Sequence, residues 1–235
     1  MKKTGMKSAA ALLCALLVST LISGCTAQPK TNQPEVSPEA QFDVTEKADV
    51  VIVGGGGTGI SAALTAVENG AESVILVEKL PELGGFMRMK TGQFSAANTT
   101  LQIEQGLTED SVERYEKEIL NFGNSNGGHP IEYLVKSYAE NATEAWEWVY
   151  EMGVKDYPFM TDKDGNKVIV NPGHMPYEYN RTYVPMPKED SKLANPVIEV
   201  MLKELEKQDK IQVFTSVAGT KLITNEKGQV CGAEG

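Results

Sequence analysis

The chain has 235 residues, of which 41% are hydrophobic and 23% charged, with a formal net charge of −10. This length predicts one ordinary domain or slightly more, and the apolar content suffices for a packed core, which excludes a disordered protein. Residues 1–24 contain three lysines and no acid, so the remaining chain is more acidic still, which excludes nucleic acid as a partner.

The N-terminal segment has the pattern of an export signal. Three lysines lie within the first seven residues, and an apolar run over residues 9–22 follows that is too short for a stable membrane span. It ends in Leu-Ile-Ser-Gly-Cys25, which resembles the lipobox of bacterial lipoproteins. The resemblance implies that residues 1–24 are a lipoprotein signal peptide, and that Cys25 is lipidated and anchors an exported protein to the outer face of the bacterial cell membrane. A cleaved secretory peptide with an incidental cysteine is the alternative.

Residues 25–46 contain three prolines among polar residues and lack hydrophobic periodicity, so we predict a flexible tether. Cys231 is the one cysteine that follows the predicted lipidation site, and a single cysteine forms neither an internal disulfide nor a metal cluster. We expect it to be a packed or edge residue. The chain has only two histidines, His129 and His174, so no metal site is expected. His129, before a proline at a helix start, is expected to be a local cap.

An apolar strand then runs directly into a glycine-rich turn and a helix. Val50–Val53 is a continuous β-branched run, as in a strand buried on both faces. In the Gly-Gly-Gly-Gly-Thr-Gly sequence that follows, Gly54 allows a tight turn, Gly56 allows the backbone to approach a diphosphate, and Gly59 lets helix and strand pack closely. The helix N-terminus would face the phosphates with unpaired N–H groups. The candidate phosphate-binding residues are Gly54, Gly56, Gly57, Thr58 and Gly59.

The next elements are in register with this turn. Apolar residues at helical spacing follow Gly59, and Gly70 lies where a C-terminal cap is expected. Val74–Glu78 is a second strand that ends in an acid, 19 residues after Gly59. That spacing is close to the ~20 residues expected for the acid that accepts hydrogen bonds from a ribose 2′-OH. A carboxylate there would repel a 2′-phosphate, so NADP is disfavoured. A flexible loop with a solvated strand end is the alternative.

Residues 79–98 are irregular and punctuated by glycines. With the preceding acid they resemble the fumarate reductase and succinate dehydrogenase flavoprotein family, including its exported fumarate- and urocanate-reductase-like members. In that family a Glu-Lys strand end is followed by Gly-Gly-Asn-Thr or Gly-Gly-Asn-Ser, then by Ala-Ser-Gly-Gly-Met-Asn-Ala-Ala, around the flavin diphosphate. The matching positions are Glu78, Lys79, Gly84, Gly85, Thr91, Gly92, Ala96 and Ala97. The sequence departs from the family at Phe86, Gln93 and Phe94, so the usual polar contacts there are not carried over.

Two helices are predicted after this segment. The first is capped by Thr108 and ends near Gly123, and the second runs over residues 130–153. Helical spacing places Trp146 in the core and Trp148 at its rim.

A polar, irregular tract spans residues 154–194. Family members carry an Arg- and His-containing loop before the corresponding helix, which makes His174 and Arg181 candidates for the edge of an active site, although the spacing does not match residue by residue. Asn195 and Pro196 are predicted to start the next helix.

The C-terminal region predicts a third parallel strand, Ile211–Thr215, and a hairpin of residues 217–223 with 230–233. In the family, the backbone near an alanine here holds adenine, and Ala218 is the matching position. The sequence thus predicts an α/β fold over residues 47–235. With the resemblance, we expect a Rossmann-like FAD-binding domain of three layers, with a parallel sheet and a β-hairpin excursion, incomplete at its C-terminus.

The resemblance implies FAD as cofactor and hydride transfer from reduced flavin to an activated C=C bond, with an unsaturated carboxylate as substrate and an unidentified electron donor. In the family the chain continues into a fourth parallel strand beside the first, then a capping domain with the arginine that protonates substrate. We therefore expect the catalytic residues beyond residue 235, an edge of Val50–Val53 without a partner, and weak or no flavin retention. A lipid-anchored dinucleotide-binding protein or an inactive fragment, without catalysis, is the alternative.

Overall fold

The computed structural model describes residues 46–171 and 177–235, and residues 47–235 form one compact unit. The predicted signal peptide, the lipidation site Cys25, nearly all of the predicted tether and His174 lie outside the described residues.

The elements alternate between strands and helices along the chain. The strands are β1 Val50–Val53, β2 Val74–Glu78, β3 Phe94–Ser95, β4 Thr182–Tyr183, β5 Ile211–Thr215, β6 Lys221–Thr224 and β7 Val230–Glu234. The α-helices are α1 Gly57–Glu68, α2 Thr100–Glu104, α3 Val112–Ser125, α4 Glu132–Met152 and α5 Pro196–Leu205. Short 3-10 turns span Gly85–Met89 and Val154–Asp156.

A parallel sheet with the strand order β1-β2-β5 lies at the centre of the fold. Its ladder aligns Val50 with Val74 and Val74 with Ile211. All three predicted parallel strands are confirmed. Among the described residues β1 pairs only with β2, so β1 and β5 are the two edges of this sheet.

Helices cover one face of the sheet, because apolar side chains of α1 and α5 recur at helical spacing and meet the apolar side chains of the strands. α1 packs on β1, β2 and α5, and α5 also contacts α4. Fully buried side chains at this contact include Ile60, Leu64, Leu76 and Ile198. On the opposite face, Gly219, which precedes the hairpin, packs against Val53.

Two antiparallel pairs complete the architecture. β6 and β7 form the predicted hairpin, although β6 begins at Lys221 rather than at residue 217. β3 pairs with β4 across a large sequence separation, and this pair was not predicted. The fold class predicted from the sequence is confirmed as an α/β fold with a parallel sheet and a β-hairpin excursion.

Several helix boundaries differ from the prediction by a few residues. Ser111 rather than Thr108 is the N-cap of α3, because its side chain accepts a hydrogen bond from the Arg114 N–H at 3.2 Å. That helix also continues past Gly123. α4 begins after Ile131 without any side-chain cap, so the predicted capping role of the exposed His129 is wrong.

Other boundaries are confirmed. Gly70 follows the end of α1 with φ +94°, and Gly153 ends α4 with φ +145°, a region that favours glycine. Pro196 opens α5 after the N-cap Asn195. Trp146 is fully buried, and Trp148 is partly buried at the rim, with its indole N–H donating to Glu68. Cys231 is exposed on β7.

Candidate functional site

The carboxyl ends of the three parallel strands meet at one edge of the sheet, which is where ligands bind in open α/β folds. β1 runs into the glycine turn, β2 ends at Glu78, and β5 leads to Ala218. The turn is tied to β2 because the N–H of Gly54 donates to the Val77 carbonyl at 2.7 Å. Gly54 has φ +111°, which an L side chain rarely adopts.

Glycine is required at different positions of the turn for different structural reasons. A Cβ on Gly59 would collide with the Gly54 carbonyl oxygen, so glycine is needed there for α1 to pack on the turn. A Cβ on Gly56 would meet no atom within 4 Å, so this side of the turn is open. Glycine at position 56 is therefore unexplained by packing within the protein, whereas a ligand close to the backbone would require it.

The N-terminus of α1 has no capping side chain and no acid in its first turn. The first N–H groups of any α-helix lack intrahelical partners, here those of Gly57, Thr58 and Gly59. Together with the positive end of the helix dipole, such groups form an anion-binding site. Thr58 is exposed, and Gly59 is buried under the turn.

Glu78 is 8% exposed, and its carboxylate lies against the glycine turn. One oxygen accepts the N–H of Gly55 at 2.7 Å and the other accepts the N–H of Leu80 at 2.8 Å. The Leu80 bond contributes most to holding the pKa of Glu78 below its ordinary value, burial opposes this shift, and the Gly55 bond adds to it. The carboxylate is thus ionised, and each oxygen keeps acceptor capacity for a further donor.

The segment after β2 returns to the glycine turn. The Gly84 N–H donates to the Gly55 carbonyl at 2.7 Å, and a Cβ on Gly85 would lie 3.2 Å from the Gly56 Cα. The predicted residues Gly84 and Gly85 are therefore brought to the turn. Met87 packs over Gly57, where a Cβ would collide with its sulfur.

Other predicted residues lie further out. Lys79 and Thr91 are exposed in the segment that links β2 to β3. Gly92 is buried, where a Cβ would lie 2.9 Å from Asn195 Oδ1 and 3.0 Å from Pro196 Cδ. The structure therefore gives Gly92 a packing role against the start of α5.

Ala218, the predicted adenine-side residue, lies beside the end of β2. Its neighbour Val217 donates its N–H to the Glu78 carbonyl at 3.0 Å, and Ser216 donates to the Leu80 carbonyl at 3.0 Å. The exposed Ala218 and Glu78, the predicted ribose acid, thus lie together at the carboxyl ends of the strands.

Arg181 does not lie at an open edge, so its prediction as an active-site edge residue is wrong. Its side chain is fully buried, and its Nε and Nη2 donate to the two oxygens of Asp110 at 2.7 and 2.6 Å. Its Nη1 donates to Glu118. Since every polar group of the guanidinium has a carboxylate partner, Arg181 joins β4 to the start of α3 and to its second turn.

An open apolar groove of about 330 Å³ lies between α3 and α4 and contains none of the predicted site residues. Two of its hydroxyls are satisfied within the protein, because Tyr115 and Tyr138 both donate to the Ser95 carbonyl, at 3.2 and 3.0 Å. In the described ranges, no group of three or more His, Cys, Asp and Glu side chains is arranged to hold a metal ion.

Sequence reasoning missed two contacts of the site. One is the hydrogen bond from the Leu80 N–H to the Glu78 carboxylate, which lies just after a strand end where no sequence pattern predicts it. The side chain of Asn195 was recognised as a cap, yet its Nδ2 also donates to the Met87 carbonyl at 3.1 Å, across more than a hundred residues of sequence. Only a spatial arrangement reveals that second bond.

The residues fit an adenine dinucleotide with a diphosphate. An uncapped helix N-terminus, an open side at Gly56 and a buried ionised acid at the next strand end lie together. Fold and site define a Rossmann-like dinucleotide-binding domain. The sequence profile of the FAD binding domain family matches residues 49–235, and the chain belongs to this family.

The chain is similar to curated reductases. It is 30% identical to urocanate reductase of Eggerthella lenta over 226 residues, which cover 96% of this chain and 34% of that protein. It is 37% identical to fumarate reductase (cytochrome) of Shewanella frigidimarina over 108 residues, covering 46% of this chain and 18% of that protein. The chain thus spans about one third of the length of the urocanate reductase. The resemblance to flavoproteins of the fumarate reductase kind is confirmed.

A solved structure shares the fold. The open conformation of a flavocytochrome c3 fumarate reductase superposes with a TM-score of 0.62 at 22% identity, over 99% of this chain and 34% of that chain. Among residues 46–171 and 177–235, the helices are all too short or too polar to cross a bilayer.

Proposed function

We propose that this chain binds FAD at the edge formed by the glycine turn, Glu78 and Ala218. The observation that carries the proposal is the uncapped N-terminus of α1 beside Gly56, whose open side leaves the backbone accessible to a ligand. The remaining proposed contact residues are Gly54, Gly57, Thr58, Gly59, Lys79, Gly84, Gly85, Thr91 and Gly92. FAD, when bound, supplies hydride-transfer chemistry.

Binding of FAD by the purified 235-residue chain tests this proposal. A ligand that binds only the folded state raises stability by RT ln(1 + [L]/Kd), so the melting temperature should rise with each tenfold increase in FAD. FMN, which lacks the adenosine and the diphosphate, is the matched control and should produce no shift. NADP should bind more weakly than NAD, because its 2′-phosphate would face the Glu78 carboxylate.

The flavin should bind reversibly and be lost on gel filtration, as the sequence predicts. A melting temperature that is the same in FAD and in FMN would contradict the proposed site. If NAD stabilises the chain and NADP stabilises it equally, the assigned role of Glu78 alone would be contradicted.

The proposed reaction is reduction of an activated C=C bond, with an unsaturated carboxylate as substrate and an electron donor of unknown identity. The names of three relatives support it: urocanate reductase, fumarate reductase (cytochrome) and acrylate reductase flavoprotein subunit. Each name refers to a small unsaturated acid.

The experiment uses the protein as it occurs naturally. It should be loaded with FAD, and the bound flavin should be reduced in the absence of oxygen. Addition of urocanate, fumarate or acrylate should then restore the oxidised flavin spectrum, whereas saturated succinate should not. If reduced flavin is reoxidised by oxygen and by none of the three acids, the non-catalytic dinucleotide-binding alternative is favoured.

We also propose that the protein is exported and lipidated on Cys25, on the basis of the sequence pattern of residues 1–25. Metabolic labelling with a radioactive fatty acid in a bacterial host should label the protein. Cys25→Ser should abolish the label, and Cys231→Ser, which removes the exposed cysteine of β7, should retain it. Full labelling of Cys25→Ser would contradict lipidation at this cysteine.

A further inference from the structure

The 3-10 turn Gly85–Met89 forms one wall of the proposed diphosphate site. It reaches the glycine turn through the hydrogen bond from Gly84 to Gly55 and through the close approach of Gly85 to Gly56. The side chain of Met87 covers Gly57, at the first residue of α1. A displacement of this turn would therefore move the backbone that faces the proposed cofactor.

The turn has little stability of its own. None of its five residues is buried, and Phe86 and Met89 are 65% and 72% exposed. Hydrogen-bond geometry in 3-10 segments is also poorer than in α-helices. Its position therefore depends on contacts with neighbouring elements.

Asn195, at the start of α5, supplies such a contact. Its side chain is nearly fully buried, and its Nδ2 donates to the Met87 carbonyl at 3.1 Å. Its Oδ1 accepts the N–H of Val197 at 3.0 Å and of Ile198 at 3.4 Å, which caps α5. One carboxamide thus links the first turn of α5 to the 3-10 turn.

Packing reinforces this link. A Cβ on Gly84 would lie 3.3 Å from Ile198 Cγ1, and a Cβ on Gly92 would lie 2.9 Å from Asn195 Oδ1. The segment therefore contacts both the glycine turn with the start of α1 and the start of α5.

We propose that Asn195 is a positioning residue for the dinucleotide site. By holding the Met87 carbonyl it keeps Gly84 and Gly85 against the glycine turn, and it thereby shapes the cradle without touching the cofactor. The inference rests on the proposed function.

Asn195→Asp separates this role from helix capping. Aspartate is isosteric with asparagine and caps helices about equally well, and its charge favours a helix N-terminus. Ionised aspartate has no N–H group, so the bond to the Met87 carbonyl is lost while α5 remains capped. Asn195→Ala removes both bonds without adding charge. Ser111→Ala, which uncaps α3, is the control for loss of a cap far from the turn.

Two measurements on the 235-residue chain decide the inference. Without cofactor, amide hydrogen exchange over residues 84–90 should accelerate in both Asn195 variants and stay unchanged in Ser111→Ala. With FAD, Kd should rise about threefold to tenfold in both Asn195 variants, the range for one lost hydrogen bond. Because Asn195→Asp replaces the lost bond with a carboxylate oxygen beside the Met87 carbonyl, it should lower the melting temperature, so Kd is compared at a temperature where every variant is folded.

The outcomes separate the two proposals. FAD binding by the unsubstituted chain with an unchanged Kd in both Asn195 variants would overturn the positioning role and leave the proposed function intact. A loss of affinity that follows global stability equally in Asn195→Ala and Ser111→Ala would show a merely structural role and also overturn it. Failure of the unsubstituted chain to bind FAD would overturn the proposed function and this inference with it.

Discussion

Neighbouring glycines in the same turn are required for different reasons, and alanine substitutions distinguish these reasons. Gly59→Ala places a Cβ against the Gly54 carbonyl oxygen, a backbone atom that cannot yield cheaply. We expect it to lower the free energy of unfolding by about 1–3 kcal/mol or more, as for overpacked cores. Gly56→Ala meets open space, and its backbone has φ −75° and ψ −177°, which alanine adopts readily.

For Gly56→Ala we therefore expect a folded protein, with a cost of about 0.5–1 kcal/mol for a poorer N-cap. Its FAD affinity should fall on the order of tenfold or more, because the methyl group occupies the space proposed for the diphosphate. Urea unfolding and FAD titration of both variants provide the comparison. Unaltered FAD affinity in a folded Gly56→Ala protein would show that the open side of the turn is not the binding site.

Glu78 predicts a pH dependence of stability. Its folded-state pKa lies below the ordinary value of 4.5, so the unfolded chain binds more protons in acid. The carboxylate therefore stabilises the fold above about pH 4.5, and this contribution is lost as pH falls below that value towards the folded-state pKa.

Glu78→Gln isolates the contribution of this carboxylate to the free energy of unfolding. The amide offers one acceptor oxygen to the two N–H groups of Gly55 and Leu80, so one buried donor loses its partner. At neutral pH we expect a loss of about 1–3 kcal/mol. The difference between the two proteins in urea should shrink as pH falls from about 6 to about 3.5. A difference that is constant over this range would contradict the assigned ionised state.

At the scale of elements, local patterns predicted the strands and helices whose signals lie within a few residues. The β-branched run, the glycine turn and the helical spacing after Gly59 gave β1, α1 and β2, and Asn195 with Pro196 gave the start of α5. Helix α2 also had a readable signal, since Thr99 and Gln102 form a capping box, but that signal was missed.

Long-range pairings could not be predicted from local patterns. β3 and β4 are two residues each and lie far apart in sequence. Arg181 has its carboxylate partners 71 and 63 residues away, so the family resemblance suggested the edge of an active site, whereas these partners place it in the core. Which carboxylates pair with Arg181 is decided by the folded structure, because these residues are distant in sequence. The same is true of the hydrogen bond from Asn195 to the Met87 carbonyl.

The Arg181 network joins three parts of the fold, and its loss should be costly. Arg181→Ala leaves the fully buried Asp110 carboxylate and the largely buried Glu118 without their cation. Removing one member of a buried ion pair typically costs about 3–5 kcal/mol. We expect a loss of that size in urea unfolding. Lys136→Ala removes an exposed partner of Glu140 on α4 and should leave stability unchanged. Equal small effects of the two substitutions would contradict a structural role for Arg181.

At the scale of the whole molecule, the two edges of the central sheet differ in composition. β5 carries polar Gln212 and Thr215 and follows Lys210, features that discourage pairing between edges. β1 is Val-Val-Ile-Val, and its Val51 and Val53 are 42% and 53% exposed.

The backbone of β1 is open to a further strand. Val50 donates its N–H to the carbonyl of Ser73, just before β2, at 3.3 Å, and Gly54 donates to Val77 of β2 at 2.7 Å. The alternate N–H groups of Val51 and Val53 therefore point towards the other edge. In the described residues that edge has no strand beside it. An exposed, apolar edge of this kind is a template for association between chains.

We therefore expect the 235-residue chain to self-associate through β1 as its concentration rises, and Val51→Lys to suppress this association. A lysine on the edge strand opposes pairing because the charged side chains of two chains would be brought close together across the new ladder. Gln212→Lys places the same charge on the opposite edge strand β5 and is the matched control. Both variants keep residues 9–22, so association driven by that apolar segment is common to both. Sedimentation velocity over a concentration series should show a shift towards monomer in Val51→Lys alone, and an equal shift in both variants would place the contact elsewhere.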